Sequence, residues 1–174
     1  MIGLILRIAN QVTLGRISPV KITKTASSSV IFDVPFRCWP VDIDAFMHMN
    51  NAMYVRVAEL ARWRIFPQSD TLSFTSKKGI LFLAVENDVT YNRPIMPFQK
   101  YIVRTTVTST DNKWIFYEHK FIQHPDKVKA GQEAQTYATV VTKAVMKEKS
   151  GKTVRLTEVE SDFYQSLIPT NKDT

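Results

Sequence analysis

Residues 42–66 read DIDAFMHMNNAMYVRVAELARWRIF, and two different patterns meet inside them. Over residues 51–66, Met53, Val57, Leu60, Ala61 and Ile65 recur at three- and four-residue spacing, with no Gly or Pro between them. That period gathers apolar side chains on one face of an α-helix. Asn50 is placed to cap it, because an asparagine oxygen can accept one of the N–H groups that a first helical turn leaves unpaired. Around and ahead of the cap, the stretch DIDAFMHMNNAMY holds two acids, a histidine and two asparagines, far more chemistry than a cap needs.

On either side of the helix the chain changes character. Residues 30–38 (VIFDVPFRC) are β-branched and aromatic and predict a strand, with Pro35 placing it at an edge or an end. After a polar connection, PQSDTLSFTSKKG, four runs rich in Val, Ile, Thr, Tyr and Phe occupy residues 80–91, 100–109, 113–123 and 134–147. Turn signals separate them: Arg93-Pro94 with Pro97, Asp111-Asn112, and Pro125-Asp126 with Gly131. The last run alternates, with Thr136, Ala138, Val140 and Thr142 on one side and Tyr137, Thr139, Val141 and Lys143 on the other, as a strand requires. Thr157-Glu-Val-Glu160 has capping-box spacing and predicts a short helix to about residue 167. The class is α+β: an antiparallel sheet of about five strands buries its apolar face by wrapping around one long helix, with a short C-terminal helix added.

At 174 residues and 44% hydrophobic, the chain can bury one sizeable core and is short for two domains. Lys and Arg outnumber Asp and Glu by 23 to 16, a net charge of +7 that favours polyanions: RNA, anionic lipid or a phosphate-bearing cofactor. The lone cysteine, Cys38, excludes an intramolecular disulfide framework, argues against a cysteine-based metal site, and fits a reducing or redox-indifferent compartment. His119 and His124 show no metal-ligand spacing, so no metal is expected. No apolar run approaches the roughly 20 residues that span a bilayer. Residues 1–32 carry no acid, while Arg7, Arg16, Lys21 and Lys24 lie among apolar residues. Such a segment suits mitochondrial targeting, and equally a basic extension that packs on the domain or on a partner. The expected organisation is a basic extension or targeting segment over 1–29, one domain over 30–168 and a tail over 169–174. The expected location is mitochondrial, with a cytoplasmic or membrane-associated protein as the alternative.

The string D-x-D-x-x-x-H-x-N-N-x-x-Y, formed by Asp42, Asp44, His48, Asn50, Asn51 and Tyr54 and followed by A-E-L-A-R-W over 58–63, resembles hotdog thioesterases of the 4-hydroxybenzoyl-CoA thioesterase type. The longer F-R-C-W-P-V-D-I-D-A-F-M-H-M-N-N is similar to eukaryotic thioesterase-superfamily-member proteins, with further support from V-T-Y-N-R-P over 89–94. The resemblance implies a hotdog fold and hydrolysis of an acyl-CoA or acyl-carrier thioester, with no cofactor beyond the coenzyme A moiety of the substrate. It makes Asp44 the carboxylate that attacks the thioester or activates water, and the backbone N–H at Asn51 the donor to the thioester carbonyl. His48 matches the histidine of the reactive group in H-V-N-N variants, and Glu59 the acid of the helix. The chemistry agrees independently: unpaired N–H groups at the positive end of a helix dipole suit a developing oxyanion, and a carboxylate in reach supplies base or nucleophile. Arg93, Lys100 and Arg104 are the candidates for the coenzyme A phosphates.

Each residue also has a structural reading. Asp42 or Asp44 can bind loop N–H groups, His48 can be a structural histidine, Glu59 can pair with Arg56 or Arg62 on a solvated face, and the three cations can be solvated strand charges. Cys38, with no base in the motif, reads as a buried strand-end thiol. Two positions depart from the family pattern: Met47 stands where Gly is common, and Phe46 where plant acyl-carrier-protein thioesterases have a catalytic Asn. An enzyme using Asp44 and backbone donors survives both changes, whereas one dependent on an Asp/Asn/His set does not. The chain has no G-x-S-x-G elbow and its five glycines form no phosphate loop, which argues against an α/β-hydrolase route. The expected partners are an acyl-thioester substrate and a second copy of the chain, as a homodimer or higher oligomer, since an isolated sheet leaves an edge strand open. The rival reading is a catalytically inactive hotdog subunit of a larger mitochondrial assembly, ribonucleoprotein or membrane complex; a third is a non-hydrolytic acyl-CoA or lipid binder. No DNA partner is expected.

Overall fold

The computed structural model describes residues 2–20, 22–24, 30–69 and 71–159. Its long elements are helix α1 (Ile2–Ile17), strand β1 (Ile22–Lys24), strand β2 (Val30–Arg37), helix α2 (Asn51–Ile65), helix α3 (Thr71–Lys78) and strands β3 (Ile80–Tyr91), β4 (Lys100–Thr110), β5 (Ile115–Gln123), β6 (Thr136–Glu148) and β7 (Thr153–Val154). All strand pairs are antiparallel, in the order β1-β2-β4-β5-β6-β3, with β7 pairing Met146 and Lys147 of β6 beyond the end of β5. Pro35 is tolerated inside β2 opposite Ile102 of β4. The β4–β5 hairpin turns where Asp111 Oδ1 accepts the N–H groups of both Lys113 and Trp114 at 2.7 Å, the self-capping that makes Asp a turn residue.

The sheet curls around α2 as the pattern requires. Tyr54, Val57, Ala58, Ala61 and Ile65 of the helix meet Val30, Phe32 and Val34 of β2, Tyr101 and Val103 of β4, Phe121 of β5 and Val140 of β6 in one continuous core. Leu60 is buried too, while Met53 is only half-buried. Removing so many large side chains from water, at about 25 cal/mol per Å², is what holds a helix of modest intrinsic amphipathicity in place.

Two regions differ from the sequence reading, and a third gains an element. The polar connection over 67–79 contains α3, whose pattern is mostly Ser, Thr and Lys; Thr71 is buried at its start, Phe74 packs on the apolar cluster beneath, and Gly79 at φ 63° supplies the left-handed stop. The expected C-terminal helix does not start at a Thr157 cap. Thr157 directs both its N–H and its hydroxyl to Asn112 Oδ1, and Leu156–Glu158 form a single 3-10 turn. The remainder of that expected helix and the tail over 169–174 lie outside the described residues. Finally, residues 2–17 form α1, which packs along α2. The crossing is close at Gly15, where a Cβ would run into Arg64 O, so only glycine fits. Arg64 Nη2 donates to Ser18 O at 2.8 Å, fixing the same end.

Candidate active site

Ile43 and Met49 pair as an isolated antiparallel bridge, and the five residues between them form a tight loop. Asp44 O accepts the N–H of Met47 at 3.1 Å, and Asp44 N–H donates to His48 O at 3.0 Å. Met47 follows that turn with φ at 61°, the left-handed position at which glycine is favoured. A methionine holds that conformation here at a cost of about 1–2 kcal/mol.

The loop orients a carboxylate. Asp44 Oδ1 accepts the N–H of Phe46 at 2.9 Å, and Oδ2 lies 3.5 Å from His48 Nδ1, which is also 3.3 Å from Met49 O. Phe46 stacks over the His48 ring, with centroids 6.1 Å apart. Immediately after, Asn50 caps α2: its side chain accepts the N–H of Ala52 at 2.9 Å, and its own N–H donates to Asp42 O at 2.9 Å. The N–H of Asn51 has no hydrogen-bond partner among the described residues. It belongs to a residue that borders a recess of about 270 Å³, together with His48, Tyr54, Tyr91 and Arg93. Tyr91 hydroxyl donates to Asn51 O at 3.1 Å and its ring meets Tyr54 edge-on, so β3 holds the first turn of α2 from the far side. Sequence reasoning did not single out Tyr91; the signal was its place in the V-T-Y-N-R-P string.

The remaining candidates are dispersed. Glu59 is absent from this recess and lines a second cavity of about 520 Å³ between α2, α3 and β3, where its Oε1 is 3.5 Å from Trp63 Nε1. Arg93 borders the recess; Lys100 opens β4, 3.9 Å from Asp126; Arg104 is held by Asp33 in a bidentate pair at 2.7 and 2.8 Å and borders neither cavity. Cys38 is fully buried, and desolvation, then the charge of Asp42, pushes its thiol to about 11, which removes it as a nucleophile. Asp42 is not solvent-facing either: its carboxylate is buried, accepts the N–H of Trp39 at 2.9 Å, and pairs with Arg7 of α1 at 2.8 Å.

Arg62, expected on a solvated face, is buried between helix and sheet, and its Nη1 reaches His119 Nε2 at 2.9 Å and Thr142 Oγ1 at 3.1 Å. A guanidinium only donates, so His119 Nε2 accepts and the ring proton sits on Nδ1, directed at Thr105 Oγ1 2.9 Å away. Burial first, and the Arg62 charge second, hold His119 well below the ordinary histidine value of 6.5. The folded state therefore keeps this ring neutral while the unfolded state takes up a proton below about pH 6.5. Its contribution is complete above that pH and is lost as pH falls, at up to about 1.4 kcal/mol per pH unit. Urea midpoints at pH 7.5 and 5.5 should therefore separate more for the wild type than for His119→Gln. Equal separations would show that the ring titrates alike in both states.

A long helix wrapped by an antiparallel sheet, with a carboxylate loop at the helix's amino end, defines a hotdog-fold protein. The sequence profile of the thioesterase-like superfamily matches residues 38–167, and the chain belongs to that superfamily. It is 28% identical to Protein THEM6 of Xenopus laevis over 87 residues, covering 50% of this chain and 42% of that one. It is 35% identical to the long-chain acyl-CoA thioesterase FadM of Escherichia coli strain K12 over 52 residues, covering 30% and 39%. These matches span less than half the length of either relative. Among solved structures, the probable thioesterase YbaW of Escherichia coli superposes with a TM-score of 0.68 at 19% identity, covering 79% of this chain and 98% of that one. A 4-hydroxybenzoyl-CoA thioesterase variant carrying 4-hydroxybenzoyl-CoA gives 0.66 at 12%, covering 79% and 99%. At these identities the likeness is one of fold.

Proposed function

We propose that the chain hydrolyses fatty-acyl thioesters at the amino end of α2. The observation that carries this reading is the unpartnered Asn51 N–H at a recess that His48 also borders, with the Asp44 carboxylate 3.5 Å from His48. The thioester carbonyl accepts the Asn51 N–H, and the helix dipole favours the charge that develops on its oxygen. Asp44, aimed by Phe46 N–H and His48, takes the proton of the attacking water or itself attacks the carbonyl carbon; collapse expels the thiolate, and in the second case water then hydrolyses the mixed anhydride on Asp44 to the free acid. Arg93 at the rim is assigned to a coenzyme A phosphate, with Lys100 farther out, while Arg104 is committed to Asp33.

The acyl chain runs from the recess along the face of α2 marked by Asn51, Val55 and Glu59 into the larger cavity. Asn51 to Glu59 is about 12 Å of helix, enough for a medium chain, and a longer one of the class in FadM's name would continue into the larger cavity. The free edge of β3, with Leu81, Leu83 and Val85 exposed, is the edge on which a second protomer closes this groove. Purified full-length chain, checked for dimer mass, should release free thiol from acyl-CoAs, fastest with the longer chains. A folded dimer that releases none at any chain length refutes the proposal and supports a non-catalytic hotdog subunit.

A further inference from the structure

Among the described residues, only Met47 and Phe98 are non-glycine residues with positive φ, both at 61°. Phe98 sits in the turn closed by Gln99 N–H to Met96 O at 3.1 Å, after Pro97. Pro followed by positive φ is the type II pattern, whose third position ordinarily takes Gly. Both strained residues put a large apolar side chain into water, Met47 63% and Phe98 56% exposed. Backbone hydrogen bonds hold both turns, but neither side chain is buried in return: Phe98 meets the edge of Trp39, itself half-exposed. Strain held at exposed apolar tips points to a medium outside the chain.

The two tips lie on segments that backbone hydrogen bonds join directly. Residues 38–49 and 95–99 are stitched by Cys38 N–H to Gln99 O, Phe98 N–H to Cys38 O and Met49 N–H to Ile95 O, at 3.0, 2.8 and 2.9 Å. Trp39, Val41, Phe46 and Met96 add further exposed apolar surface to these segments. The charge around them is chiefly positive. Arg37 lies over the Trp39 ring at 5.6 Å, Lys100 is the register partner of Arg37, and Arg93 follows β3 into the same loop. Of the acids nearby, Asp42 is buried and paired with Arg7, Asp44 turns toward His48, and Asp126 stands 3.9 Å from Lys100.

We infer that this face is a peripheral docking surface for an anionic lipid membrane. Aromatic tips beside cations are the composition that partitions into the headgroup region, with the rings at the acyl boundary and the cations on lipid phosphates. The net charge of +7 favours the same partner. A protein partner is better served by the flat edge of β3, which offers a hydrogen-bonding ladder that protruding tips lack.

The test is co-sedimentation of the full chain with phosphatidylcholine vesicles, with and without phosphatidylglycerol, and it needs no turnover. Retention should require the anionic lipid and fall with added salt. Binding should blue-shift tryptophan emission in the wild type and not in Trp39→Phe, because Trp63 and Trp114 lie elsewhere. Phe98→Gly relieves the positive φ, so it should melt no lower than the wild type yet partition about tenfold or more weakly. Undiminished retention of Phe98→Gly, or no retention of the wild type on any vesicle, overturns the inference. So does a fall in solution mass of Phe98→Gly in lipid-free buffer, which would assign the face to a second copy of the chain.

Discussion

Asp44→Asn is expected to lower kcat for acyl-CoA hydrolysis by roughly 10²–10⁴-fold, with KM and the melting temperature nearly unchanged. The substitution is close to isosteric, and an amide oxygen still accepts the Phe46 N–H that Asp44 Oδ1 accepts at 2.9 Å. The turn closed on Asp44 O and His48 O uses backbone atoms and is untouched. What disappears is the negative charge, and with it the ability to take a proton from water or to attack a carbonyl. His48→Gln separates two mechanisms. If the 3.5 Å contact serves only to aim the carboxylate, kcat falls modestly; if histidine and aspartate act as a coupled unit, the two losses are similar and the double variant adds little. Full activity in Asp44→Asn would remove the carboxylate from the chemistry and leave the Asn51 N–H as a binding element alone. The comparison needs matched urea midpoints, so that a folding defect is not read as a chemical one.

The helix and its cap were legible because they depend on near neighbours: period, absence of Gly and Pro, and an asparagine whose oxygen reaches the N–H two residues on. The four long strands were legible for the same reason, their β-branched runs being broken by turn residues that bond to their own backbone. Helix α3 was hidden because a helix pinned by a buried threonine, one phenylalanine and a C-terminal glycine carries almost no apolar period. The burial of Arg62 was hidden because its partners, His119 and Thr142, are 57 and 80 residues away, and no local pattern encodes a contact across the sheet. Met47 reads in sequence only as a departure from the family pattern; that it stands at φ 61°, in a loop closed by the Ile43–Met49 bridge, is a backbone fact that a string of residue types does not carry. The site was thus readable as a string of residue types with an unpaired N–H at the helix start, while the recess and the second cavity emerged only from three-dimensional placement.

Asp42→Ala should destabilise the fold by about 2–3 kcal/mol, more than its place outside the reacting pair suggests. Its carboxylate is fully buried and has two donors, Trp39 N–H at 2.9 Å and Arg7 Nη1 at 2.8 Å. Truncation strips both of their acceptor at once. The lower part of the usual range for breaking a buried pair applies, because Arg7 remains a third exposed and rehydrates. Asp42→Asn keeps an oxygen for Trp39 and should cost about half as much, while Arg7→Met leaves the anion buried and should fall between. A double-mutant cycle over Arg7 and Asp42, read from urea unfolding, should give a coupling of about 1 kcal/mol; a value near zero would mean that α1 merely lies against the domain. The coupling matters for the site because Asp42 O also receives the N–H of the cap residue Asn50, so the residue that holds α1 spaces the loop from the helix. With Gly15 fixing the other end of α1 against Arg64, the amino-terminal helix spans the length of α2 and is fastened where the proposed chemistry begins. Loss of that fastening should therefore appear as lower kcat in Arg7→Met at full folding, with KM little changed, a readout that simple surface packing of α1 would not move.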